Sequence, residues 1–153
     1  MNQKHTPIVN APATGETNSV FGFKRYFRIT PEDTGGAFCV FEEEVDEGTG
    51  PPLHIHHTEQ EMFTVLSGSV KFRCDGTEAV AGPGTTALIP AGARHAFKGI
   101  GPGISRVLVM LSPGHGEGFF REVAKQGLSP KDVDRVNEIA AKYSVEFVGP
   151  PID

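Results

Sequence analysis

The chain has 153 residues, enough for one domain with a sizeable core and too few for two of ordinary size. With 38% hydrophobic and 22% charged residues it has the composition of a globular protein, neither disordered nor fibrous. A formal charge of −5 and the lack of any Lys/Arg run exclude a nucleic-acid surface. No stretch has the apolar length of a membrane span or of a secretory core, and the expected location is the cytoplasm.

Residues 1–19 are polar and turn-rich and are expected to form a mobile leader, with His5 incidental within it. Short runs rich in aromatic and β-branched residues follow at 20–29, 37–45, 61–66, 70–74, 85–89, 95–98 and 106–111. Each is closed by Gly, Pro or Asp. Asp75-Gly76 is a two-residue hairpin signal between 70–74 and a weaker strand at 78–81. The 19 glycines and 12 prolines, 31 of 153 residues without a repeat, fit many turns between short strands. Residues 20–115 are therefore expected to be all-β, a sandwich or barrel. Cys39 and Cys74 lie in apolar runs without a CxxC partner and are expected to be buried free thiols.

The pattern changes at residue 116. Phe119, Phe120 and Val123 predict a helical turn. Ser129 and Pro130 are read as N-cap and first-turn residues of a helix, with Asp132 in its opening turn. Val133, Val136, Ile139, Ala140 and Tyr143 continue at helical spacing, so one face should pack on the β domain. Residues 144–153, ending in a Gly-Pro-Pro stretch, are expected to be a surface tail, and the whole segment 116–153 to be structural.

The chemistry is concentrated in two places. In the run 54–57, HIHH, strand alternation puts His54 and His56 on one face and His57 on the other. Two imidazoles side by side are half of a transition-metal site. Glu61 is followed at period two by Phe63 and Val65, so if these face the core Glu61 does too. A buried carboxylate needs a proton or a cation. His95 shares a face with Phe97 after the turn at 90–94. Imidazole nitrogen with carboxylate oxygen suits one divalent ion of Fe, Mn, Ni, Cu, Co or Zn, and suits Ca or Mg poorly.

These residues carry a family resemblance. Gly48, His54, His56, Glu61 and Gly68 stand at the anchor spacings of the first cupin motif. Gly84, Pro90, Gly92 and His95 stand at those of the second. The closing Asn of the second motif is replaced by Gly99. The chain thus resembles a small single-domain bacterial cupin of the quercetin-dioxygenase-like kind. The resemblance implies a jelly-roll β-barrel (double-stranded β-helix) with a C-terminal α-helix, a homodimer, and a metal held by His54, His56, Glu61 and His95. Phe63, Phe72 and Phe97 are expected to line the interior and shape a substrate pocket. His57 is expected on the solvent side, and Glu59 and Gln60 in a solvated turn. His115 is expected to be incidental in its loop, and Arg94 and Lys98 to be surface charges.

Four protein ligands leave coordination positions open for a small-molecule substrate, and an enol or acidic hydroxyl bound there would lose its proton more readily, with Glu61 as the catalytic base. With a redox-active metal and O2 the expectation is a dioxygenase acting on a small aromatic or enolic molecule. The alternatives are a non-oxidative isomerase, lyase or decarboxylase, and a binding module without turnover.

Overall fold

A computed structural model describes residues 6–153; His5 lies outside the described residues. The strands are β1 (Thr17–Val20), β2 (Phe23–Ile29), β3 (Cys39–Val45), β4 (His54–His56), β5 (Gln60–Ser67), β6 (Val70–Cys74), β7 (Thr77–Ala81), β8 (Thr86–Ile89), β9 (Arg94–Gly99), β10 (Ser105–Ser112) and β11 (Val145–Phe147). Two helices, α1 (Glu117–Lys125) and α2 (Val133–Lys142), separate β10 from β11. β10 shows why these segments are strands: Ser105, Val107, Val109 and Leu111 are buried while the residues between them are not, the period of a pleated strand with one face on a core.

The strands form two antiparallel sheets, ordered β1-β2-β3-β10-β5-β8 and β11-β4-β9-β6-β7. Their inner faces meet in a core that includes Phe41, Phe63, Phe72, Phe97 and Val107. Between the sheets the described residues make one isolated bridge, Glu47 with Gly99. The jelly roll is therefore a two-sheet sandwich, and the ring of hydrogen bonds that a barrel implies is not closed. Asp75 and Gly76, both at positive φ, make the tight turn joining β6 to β7 as their sequence indicates.

Gly99 has a structural reason. It ends β9 against the 46–49 turn, its carbonyl accepting from Gly48 N at 2.8 Å and its N–H donating to Thr49 O at 3.0 Å. A Cβ at this position would meet the Asp46 carbonyl oxygen at 2.6 Å, so no side chain fits.

The N-terminal sheet edge begins at Thr17, which pairs with Tyr26. The preceding segment is tied at Glu16, whose carbonyl accepts from Phe27 N at 2.8 Å. Cys39 and Cys74 are both free, the first fully buried and the second partly so. Burial pushes the Cys39 thiol up to about 12.

The C-terminal segment departs from expectation at both ends. Ser129 is not the cap of α2. Its N–H and hydroxyl donate to the Asp132 carboxylate at 2.7 and 2.8 Å, and Asp132 takes the N-cap position. Val136, Ile139 and Ala140 pack with Phe119, Val123 and Val145 in a second apolar cluster, while Val133 is exposed. Residues 145–147 are not a surface tail, because β11 adds to the edge of the second sheet beside β4, with Val145 opposite His56 and Phe147 opposite His54. Leu53 and residues 148–150 extend the pairing, through Leu53 N to Pro150 O at 3.1 Å and Val148 N to Leu53 O at 2.8 Å. Ile152 is buried. Among the described residues, no helix is long and apolar enough to cross a membrane.

Candidate metal centre

The two histidines of β4 and the one on β9 meet because the strands are neighbours in register: His54 lies directly opposite His95. Glu61 enters from the facing sheet, near the start of β5, on the same face as Phe63 and Val65. All four residues are buried, and one potential donor atom from each lies within 4.8 Å of all the others. Nε2 of His95 is 2.8 Å and Nε2 of His56 is 3.4 Å from the same Glu61 oxygen, Oε2. An ion about 2.1 Å from each donor spans opposite donors about 4.2 Å apart, so a pair at the 4.8 Å limit of the cluster would close by at least about 0.6 Å on binding.

The outer ring nitrogens fix which atom each histidine offers. Nδ1 of His54 donates to Pro52 O at 2.8 Å and Nδ1 of His95 to Ala93 O at 3.1 Å. A carbonyl only accepts, so Nδ1 carries a proton in both rings and Nε2 is the atom turned toward the cluster. His56 is oriented differently, with Nδ1 3.6 Å from Oε2 of Glu59. Glu59 is not in a solvated turn. It is completely buried, and its other oxygen lies 2.9 Å from Nε2 of His115 on the loop before α1. His115 is therefore not incidental, since it brings a half-exposed imidazole against a buried carboxylate that backs a ligand. Spacing alone does not reveal this, because the 59–115 contact is between distant parts of the chain.

The charges are strongly coupled. Burial, with the neighbouring His95 and His56, lowers the His54 pKa to about 3. Burial also acts against a charge on His56, but the carboxylates of Glu61 and Glu59 outweigh it and raise that imidazole above its ordinary value. Burial would push Glu61 up, yet His56 and then the hydrogen bond from His95 hold it at about 2. The site thus presents a neutral imidazole at His54 and an ionised carboxylate at Glu61, while His56 must give up a proton before it can coordinate a metal. The donor set, the Nε2 atoms of His54 and His95 turned into the cluster and the buried carboxylate all fit a divalent transition-metal ion.

Above the cluster opens a cavity of about 490 Å³, within the range of small-molecule sites. His54, His56 and Glu61 line it together with Phe63 and Phe97. Phe72 does not line it. Its ring packs behind Phe63, centroids 5.1 Å apart, so its expected pocket role becomes one of support. Arg94 and Lys98 do not line it either, and Arg94 is exposed. His57 points outward and pairs at the surface with Glu146 at 2.8 Å. The roof comes from the C-terminal segment, with Phe119, Phe120 and Val136 among its residues.

One further pair escapes the sequence reading. Arg25, between Phe23 and Phe27 on β2, and Glu43, between Phe41 and Val45 on β3, are directly opposite each other on the inner face. Both are buried and both line the cavity. The period-two alternation of charged with apolar residues carries the signal that could have found them.

A two-sheet jelly roll with a three-histidine, one-carboxylate cluster between its sheets defines a cupin-type protein. Residues 41–111 match the family model described as a cupin domain, so this part of the chain, which holds all four residues of the cluster, is a cupin domain. Among solved structures it is similar to an RmlC-like cupin from Shewanella frigidimarina, at 15% identity over 76% of this chain and 99% of that one, with a TM-score of 0.62. It is similar also to the polyketide cyclase RemF from Streptomyces resistomycificus, at 22% identity over 71% and 80%, TM-score 0.60. A third is KdgF from Halomonas sp., at 19% identity over 64% and 86%, TM-score 0.58. These likenesses establish the fold alone. No curated protein matches the sequence.

Proposed function

We propose that this cupin is a metal-dependent enzyme acting on a small aromatic or enolic molecule, with oxidative cleavage by dioxygen as its reaction, as in the quercetin-dioxygenase-like group it resembles. The observation that carries this reading is that four donor atoms converge where three of their residues, His54, His56 and Glu61, line an apolar cavity of substrate size. When bound, a divalent ion supplies Lewis acidity at an open coordination position and, if redox-active, a route for electrons to dioxygen. The chain's own residues do the rest. Phe63, Phe97 and the roof residues exclude water and hold a flat apolar body, while His54, His56 and His95 keep their Nε2 atoms aimed at one point. Glu61 stays ionised and is placed to take the proton of the substrate hydroxyl.

The test is oxygen uptake by protein loaded in turn with iron, nickel, copper and manganese, offered flavonols and β-diketones. Uptake that disappears in His54→Ala supports the reading, and no uptake with any combination overturns it. Turnover of the same compounds under strict anaerobiosis would assign a non-oxidative isomerase, lyase or decarboxylase instead. Recovery of a tightly bound ligand unchanged would assign a binding module. We further propose the homodimer that the family resemblance implies; a single-chain mass in sedimentation velocity would reject it.

A further inference from the structure

The ion pair between Arg25 and Glu43 costs more than it returns as a stability device. Two charges taken out of water lose several kcal/mol of hydration each, and apolar residues of equal size would serve a core at least as well. Its bonding is also lopsided. Nε and Nη2 of Arg25 both go to one oxygen, Oε2 of Glu43, at 2.8 and 2.7 Å. Nη1 of Arg25 is buried and has no hydrogen-bond partner among the described residues, and Oε1 of Glu43 takes part in no hydrogen bond among them. The guanidinium plane is held under Phe120, 3.8 Å from the ring centroid, so it is oriented by packing as well as by charge. Both side chains line the cavity that contains His54, His56 and Glu61.

The register places the pair away from the metal centre. Glu43 pairs with Val107, which pairs with Val65, and Glu61 stands four residues before Val65 on the same face. Two strand spacings across and four residues along put the backbones roughly 16 Å apart in a flat sheet. Both side chains project inward from it.

We infer that Arg25 and Glu43 are a second polar anchor of the cavity, which recognises a hydroxyl on an apolar ligand at a position distinct from the oxygens that go to the metal. Nη1 donates to that hydroxyl oxygen, and Oε1 accepts its proton in a hydrogen bond. A donor and an acceptor side by side with no net charge select a neutral hydroxyl over a carboxylate. Burial, only partly offset by Arg25, pushes the Glu43 carboxyl up, which suits it to accept from a weakly acidic group. The inference rests on the reading of the cavity as a substrate site and adds to it the class of substrate: a flat apolar molecule oxygenated at two separated places.

The experiment compares wild type with Arg25→Met/Glu43→Leu, which removes the pair together so that neither charge is left buried alone. Arg25→Gln/Glu43→Gln serves as a second variant, and each variant is used only where its melting transition is cooperative. Metal-free protein is titrated with naphthalene and with 2-naphthol by fluorescence. Wild type should prefer 2-naphthol by roughly tenfold, the worth of one good hydrogen bond, and Arg25→Met/Glu43→Leu should bind the two equally. His54→Ala should keep the preference. An unchanged preference in both paired variants, or none in wild type, overturns the inference. Zinc-loaded protein is then titrated with 3-hydroxyflavone and with kaempferol, which adds hydroxyls remote from the chelating oxygens. Failure of both flavonols to bind, with the naphthol preference intact, counts against the proposed substrate and not against the anchor. A kaempferol preference that survives in Arg25→Met/Glu43→Leu counts against the anchor.

Discussion

Oε2 of Glu59 lies 3.6 Å from Nδ1 of His56, and the carboxylate behind that contact is completely buried. It occupies the place that a backbone carbonyl takes for His54 and His95. Of the three imidazoles, only His56 has an ionisable side chain, and not a backbone carbonyl, beside its Nδ1.

Glu59→Gln should therefore lower metal affinity by roughly 10–100-fold with little loss of fold, the usual cost of removing an outer carboxylate partner. A chelator-competition titration with zinc measures it. Equal affinities in wild type and variant would show that the 3.6 Å contact does not orient His56.

His54→Ala and Glu61→Ala should each deplete the metal found by elemental analysis of protein purified without added metal. Phe63→Ala, in the core beside them, should instead cost roughly 3–5 kcal/mol of stability through the cavity it leaves. A metal content unchanged in both ligand variants would contradict the site.

Metal uptake should be linked to protons through His56. Its imidazole is raised above 6.5 in the metal-free protein, so near neutral pH a proton leaves as the ion enters. Calorimetry with zinc in buffers of different ionisation enthalpy should show a release that grows as pH falls from 8 towards 6.5 and is lost in His56→Gln. The same proton contributes stability to the metal-free protein that is fully present below 6.5 and disappears as pH rises through the raised folded value. His54, lowered to about 3, works the other way: its contribution falls away as pH drops below 6.5. Zinc binding with no proton release at pH 7 would rule out the raised value for His56.

Deleting residues 144–153 should weaken metal binding and lower the melting temperature together, since β11 is the outer neighbour of the ligand strand β4. His57→Ala, which removes only the exposed pair with Glu146, should change stability by no more than about 0.5 kcal/mol. A truncated chain that keeps full zinc affinity would mean that β9 alone sets the geometry of β4.

The sequence is most informative where local pattern and chemistry coincide. The spacing of His54, His56 and Glu61, and the apolar neighbours of Glu61 and His95, were enough to place all four side chains in one cluster. The strands could be placed because their buried faces alternate with turn residues between them, as in β10. What was hidden depends on contacts far apart in the chain. Glu59 sits among polar residues that suggest a turn, and only the approach of His115 from 56 residues away places an imidazole against it. β11 has three residues and a Gly-Pro-Pro stretch close behind it, too short for alternation to register, and its partner β4 lies in the first half of the chain. Arg25 and Glu43 were legible in principle, yet a charge within an aromatic run is more often a residue at the sheet surface than a buried pair.

The pairing of β11 with β4 has a consequence for how the protein is made. Val145 lies 89 residues beyond the His56 it faces. At roughly 5–20 residues added per second, the ribosome exposes the two histidines of β4 for about 4–18 s before the strand that covers their outer edge emerges. During that interval a thiol-free, imidazole-rich segment is open to any soft cation in its surroundings. The outer edge of β4 is completed only when the late strand docks, so the order of synthesis sets when this side of the sheet closes.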